Sequence, residues 1–216
     1  MKRRKTLWCA RLIFVCVFLL CATFASAADY DALNKAADEL FDNQDYAAAA
    51  QKYEQAVYKG SGWAMARLGY LYENGIGVAA DVNKAFSLYE KGAAAGDIAA
   101  IYNLGACYFF GVSAAKDEAR GLALIKKSAE AGDDGALCTL GDLYQSGTGV
   151  TADKTLALKY YRKAARAGSE DAMKAIAAKY AEGDGVQKDK QEALRWYGYA
   201  ADLGDEEAAA AVKKLK

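Results

Sequence analysis

Apolar residues return along this chain at a period of 36, with no insertion between copies. Leu68, Leu104, Leu140 and Ile176 hold one phase, Gly69, Gly105, Gly141 and Ala177 the next, and Tyr72, Tyr108, Tyr144 and Tyr180 stand four residues beyond the first. Gly75, Gly111, Gly147 and Gly183 follow, then Asp81, Asp117, Asp153 and Asp189. Ala93, Ala129, Ala165 and Ala201, and then Gly96, Gly132, Gly168 and Gly204, close each unit. A fixed period of this length marks a stacked array, in which no unit can bury its apolar stripe alone.

Each unit reads as two helices. Ala64, Leu68 and Tyr72 recur at a four-residue step and form one apolar stripe, with Gly69 allowing another backbone to come close. Gly75 and Gly77 suit a helix end that needs a left-handed residue and a tight exit. Asp81 falls where an N-cap carboxylate would accept a backbone N–H. The second helix carries Ala85, Tyr89 and Ala93 at the same step, and Gly96 ends it.

The ends differ from the middle. Before the first full unit, Leu33, Ala36, Ala37 and Leu40, then Ala49, Tyr53 and Ala56, form a hairpin pattern around the tighter turn Asn43-Gln44-Asp45-Tyr46. After the last unit, Asp205 to Lys216 predicts one more helix, whose Glu206, Glu207, Lys213, Lys214 and Lys216 suit a solvated cap. The expectation is an all-α chain of eleven helices.

The strings Leu68-Gly-Tyr-Leu-Tyr-Glu-Asn-Gly-Ile-Gly-Val78, Leu140-Gly-Asp-Leu-Tyr-Gln-Ser-Gly-Thr-Gly-Val150 and Tyr160-Tyr-Arg-Lys-Ala-Ala-Arg-Ala-Gly168 resemble Sel1-like repeats. Ala193-Leu-Arg-Trp-Tyr197 and the following Ala200-Ala201 do the same. The likeness covers roughly 62–208, and residues 28–61 resemble a tetratricopeptide hairpin. It implies a right-handed α-solenoid of antiparallel helix hairpins: one tetratricopeptide-like hairpin at 28–61, four 36-residue repeats at 62–204 and a capping helix at 205–216. It also implies a protein that scaffolds complexes, often in bacterial envelopes. Two units depart from the pattern. One has Ser113, Gly121 and Ile125 for a loop glycine, an alanine and an aromatic; the last has Ile176-Ala177 for Leu-Gly.

Composition adds a compartment. Met1-Lys2-Arg3-Arg4-Lys5 is basic, Leu12 to Phe24 is apolar, and Ala25-Ser26-Ala27 offers small residues, the order of a secretory signal. Cleavage is expected between Ala27 and Ala28, leaving a periplasmic or secreted protein without stable membrane insertion. The whole chain carries 28 basic and 28 acidic residues. Because Lys2, Arg3, Arg4, Lys5 and Arg11 precede the cleavage point, the remainder is mildly acidic, with no electrostatic attraction to nucleic acid.

Catalytic chemistry finds little support. Histidine is absent, which removes the commonest general base and metal ligand. The periodic aspartates lie one per loop, whereas a hard cation needs several oxygens converging on one point. The loop glycines lack the strand and lysine of a phosphate loop, so no cofactor is expected. Cys107 and Cys138 are out of phase by five residues, which places their Cα atoms on the order of 12 Å apart, too far for a bridge. Ser61, Ser87, Ser113, Ser128, Ser146 and Ser169 are read as showing no serine-x-x-lysine motif, which together with the missing histidine argues against a cell-wall-active or β-lactamase-like hydrolase.

Partner binding is the remaining use. In related arrays the first helix of each unit lines a concave side, and the positions between its stripe residues point into the groove. Those positions are Trp63, Tyr70, Glu73 and Asn74, then Tyr102, Phe109 and Phe110, then Asp142 and Gln145. Lys174 and Glu182 extend the polar end. An aromatic anchor region with a polar rim suits a peptide or helix of a protein partner. A host-directed secreted factor shares this physics and differs only in the partner.

Overall fold

The computed structural model describes residues 30–215. The expected signal segment with its cleavage after Ala27 lies outside the described residues, as do Ala28, Asp29 and Lys216. Among the described residues there are eleven helices and no strand. They are α1 (30–42), α2 (Tyr46–Tyr58), α3 (Gly62–Asn74), α4 (Val82–Ala94), α5 (Ile98–Phe110) and α6 (Glu118–Glu130). Then come α7 (Asp134–Ser146), α8 (Lys154–Arg166), α9 (Glu170–Glu182), α10 (Lys190–Asp202) and α11 (Glu206–Leu215). None is long and apolar enough to cross a membrane. The helices gather into two compact units, Met1–Ala100 and Ile101–Lys216.

The helix boundaries follow the side chains. Asp81, Asp117, Asp153 and Asp189 all cap the helices that follow them, each accepting an N–H from the first turn. This satisfies donors that an α-helix leaves without an internal partner. The same four aspartates also donate their own backbone N–H, at 2.8 Å in every case, to the carbonyls of Tyr72, Tyr108, Tyr144 and Tyr180. Gly75, Gly147 and Gly183 end the first helices in the left-handed conformation, where a side chain would be strained.

In the first unit, the core includes Ala49, Tyr53, Leu68, Leu71, Ala85 and Tyr89. Gly69 lets the two helices close up, since a Cβ there would lie 2.5 Å from Cε1 of Tyr89. Gly77 lies against the start of α2, where a Cβ would meet the Tyr46 backbone at 2.4 Å. The second unit repeats the device: a Cβ on Gly141 would lie 2.5 Å from Cε1 of Tyr161. Its cluster runs from Phe109 and Ile125 through Leu140 and Tyr161 to Ile176.

The repeat that departs from the pattern repacks itself. With Ile125 in the tyrosine slot, α6 draws in on α5 through Gly121, where a Cβ would lie 2.5 Å from the Phe109 nitrogen. Phe109 turns inward and is 1 % exposed. Ser113 takes the left-handed conformation of the glycine it replaces, with φ 61°. Cys107 is buried, Cys138 half-buried, and no disulfide joins them.

Candidate interaction surface

The expected groove residues fall in both units. On α3, Trp63 and Tyr70 are exposed, at 37 % and 43 %. Asn74 is exposed and donates from Nδ2 to the Tyr70 carbonyl at 2.9 Å. Glu73 has a structural duty, because Oε2 accepts the Tyr89 hydroxyl at 2.6 Å.

Sequence reasoning passed over Arg67, which stands four residues after Trp63 and three before Tyr70. Its guanidinium carbon lies 4.6 Å from the Trp63 ring centroid and 5.8 Å from that of Phe41 on α1, so the cation is within reach of two ring faces. Trp63, Arg67, Tyr70 and Asn74 therefore share one α3 face at i, i+4, i+7 and i+11. An arginine one turn from an exposed tryptophan was the available signal.

In the second unit most of the expected residues are engaged in packing, hydrogen bonds or ion pairs within the unit. Phe109 must be corrected from groove to core, for the reason given by Gly121 and Ile125. Phe110 beside it is 55 % exposed and meets Phe109 edge-on. Tyr102 is half-buried and shares a hydrogen bond of 2.9 Å with Thr139; burial pushes its phenol above the usual range. Asp142 accepts the Tyr161 hydroxyl at 2.6 Å. Burial first, then that bond, pushes the Tyr161 phenol far above its ordinary value.

Gln145 belongs to a polar cluster. Its Nε2 donates to Asp184 at 2.5 Å, and its Oε1 accepts from the nearly buried Lys179. Lys154 also reaches Asp184, at 2.5 Å. Bonds from Lys154 first, then from Gln145 and Lys179, hold the Asp184 carboxyl at about 2. Lys174, expected on the polar rim, is held by Asp205 at 2.8 Å and by Asp171 and Glu207 at 3.1 Å. It thereby fastens α11 to α9. Glu182 remains exposed.

One reading of the serines needs correction. Ser113-Ala-Ala-Lys116 does have the serine-x-x-lysine spacing. It lies in a loop rather than on a helix, and Lys116 pairs with Glu118 at 2.7 Å. Nucleophilic catalysis needs the base aimed at the hydroxyl, and this lysine is committed elsewhere.

Four successive segments, 64–97, 98–133, 135–169 and 171–205, match the Sel1 repeat. Solved structures agree. A Sel1 repeat protein from Oxalobacter formigenes is 29 % identical over 83 % of this chain and 75 % of its own, with a TM-score of 0.68. An immunity protein from Pseudomonas aeruginosa is 28 % identical over 84 % of this chain and 68 % of its own, with a TM-score of 0.67. A protective antigen of uropathogenic Escherichia coli with the same kind of repeat fold is 30 % identical; the match spans 85 % of this chain but 40 % of that longer one, with a TM-score of 0.63. No curated protein matches the chain.

Proposed function

Because the chain belongs to the Sel1 repeat family, whose members are in general protein-interaction scaffolds, we propose that it is a non-catalytic adaptor of the bacterial envelope. On this reading it is exported through its N-terminal signal and holds a peptide or helix of another protein. The observation that carries the reading is the α3 face: Trp63 and Tyr70 remain exposed with Arg67 between them, although the neighbouring stripe positions are all buried. Tryptophan, tyrosine and arginine are the residues most enriched at the energetic centres of interfaces. Two structural relatives are designated an immunity protein and a protective antigen, and neither designation names a reaction.

The test is a crosslinked pull-down from periplasm, comparing wild type with Trp63→Ala plus Tyr70→Ala after circular dichroism shows both folded. Loss of the same partners from the double variant supports the reading. Undiminished capture would move the interface off α3. The intact mass of the exported protein tests the compartment, with a mature N-terminus at Ala28 expected.

A further inference from the structure

The Arg67 guanidinium is unusually poor in hydrogen-bonded counter-charge. Its Nε–H is buried and has no acceptor among the described residues, although buried polar groups almost always find one. The carboxylate near it is Asp38 on α1, whose Oδ1 lies 3.8 Å from Nε, beyond hydrogen-bond range. That same oxygen already accepts the Tyr53 hydroxyl at 2.5 Å. Phe41 and Trp63 both lie within cation–π distance of the guanidinium, while 40 % of the side chain stays open to solvent.

We infer that the α3 face receives a peptide segment whose Asp or Glu side chain docks on Arg67, with apolar residues of the same segment on Trp63 and Tyr70. This rests on the adaptor reading and adds the partner's chemistry to it. A planar guanidinium suits a carboxylate, which it can grip through two donors at once. The stripe continues past Arg67 in both directions, to Trp63 on one side and to Tyr70 and Asn74 on the other. The carboxylate is therefore an internal side chain of the segment rather than a chain terminus. Asp38 close by penalises a doubly charged phosphate more than a singly charged carboxylate.

A displayed library of random twelve-residue peptides, selected on the full chain, provides the test. Selected peptides should be several-fold enriched in Asp and Glu beside an aromatic or aliphatic residue. Selection on Arg67→Gln should lose the acid enrichment but keep the apolar one. One selected peptide, resynthesised with its acid as the amide, should bind wild type at least tenfold more weakly. It should bind Arg67→Gln no differently from its parent. Asp38→Asn, which can still accept the Tyr53 hydroxyl, should bind the acidic peptide more tightly than wild type does. A pool without acid enrichment, an enrichment that survives Arg67→Gln, or an empty pool each overturns the inference. Should the pool lack acids yet vanish with Trp63→Ala plus Tyr70→Ala, the docking face stands and only the carboxylate anchor falls.

Discussion

The hydroxyl of Tyr161 on α8 donates to Asp142 on α7 at 2.6 Å, and its ring passes over Gly141. This gives a position that looked like groove lining a structural duty toward the buried Tyr161, although Asp142 itself stays exposed. Replacing either partner should cost about 1 kcal/mol, and the double variant no more than slightly above one single variant. Guanidinium unfolding of Asp142→Ala, Tyr161→Phe and the pair measures this. An unchanged midpoint for Asp142→Ala would return that carboxylate to the pool of partner-binding groups.

Two helical glycines should respond to alanine in opposite directions. Gly141→Ala drives a methyl into the Tyr161 ring, which is 3 % exposed and has nowhere to retreat; a loss of about 1–3 kcal/mol is expected. Gly198 on α10 has nothing within 4 Å of its would-be Cβ. Gly198→Ala should therefore gain about 0.5–1 kcal/mol from helix propensity. Thermal melts of the two variants should bracket wild type.

Acid should weaken the cluster around Asp184. Its folded pKa of about 2 lies below the ordinary carboxylate value of 3.8, so its contribution is full above the unfolded value. That contribution is lost as pH falls from about 4 to about 2. Asp184→Asn should flatten this part of the stability profile, as followed by circular dichroism under mild denaturant. A profile identical to wild type would mean that other carboxylates dominate.

Lys179 occupies the slot that holds Leu71, Cys107 and Leu143 in earlier repeats, and Asp184 the slot of Ile76, Val112 and Thr148. Asp184→Ile alone strands a lysine whose side chain is 6 % exposed, and about 2 kcal/mol should be lost. Lys179→Leu with Asp184→Ile restores the apolar pair and should unfold within about 1 kcal/mol of wild type or above it. A double variant weaker than the single would reverse this account of the pair.

Cys138 should alkylate slowly. Burial first, then the charge of Asp142, pushes its thiol up to about 11. At pH 8 that leaves roughly one thiolate per thousand thiols, and iodoacetamide should react at least about tenfold more slowly than with an unhindered thiol, even allowing for the greater nucleophilicity of a basic thiolate. Peptide mapping after timed alkylation reads Cys138 separately from the other cysteines. Asp142→Asn should accelerate the reaction.

The period, the capping aspartates and the loop glycines were legible in the sequence because each depends on a few neighbouring residues. Phe109 was misread because the phase rule carried the groove position over unchanged, although Gly121 and Ile125 on the facing helix leave room for a ring to turn inward. In fact Phe109 stands at the position of Glu73. Where Tyr89 needs an acceptor the repeat has Glu73; where Ile125 has no hydroxyl, a ring fills the space instead. For Arg67, its place one turn from Trp63 was legible, whereas its second ring, Phe41, lies on another helix, which spacing within α3 does not reveal. The Lys179–Asp184 exchange was invisible for a similar reason, since each residue alone reads as a solvated charge.

The backbone bond from each capping aspartate to the tyrosine carbonyl nine positions earlier has a consequence for descent. Asp81, Asp117, Asp153 and Asp189 each grip the next helix with a side chain and the previous helix with an N–H. One residue added to or removed from that stretch would break one grip or the other. An array gripped in this way can gain or lose a whole unit without breaking either bond but cannot gain or lose one residue of that stretch, in keeping with the period of 36 that runs from Leu68 to Gly204 without a gap.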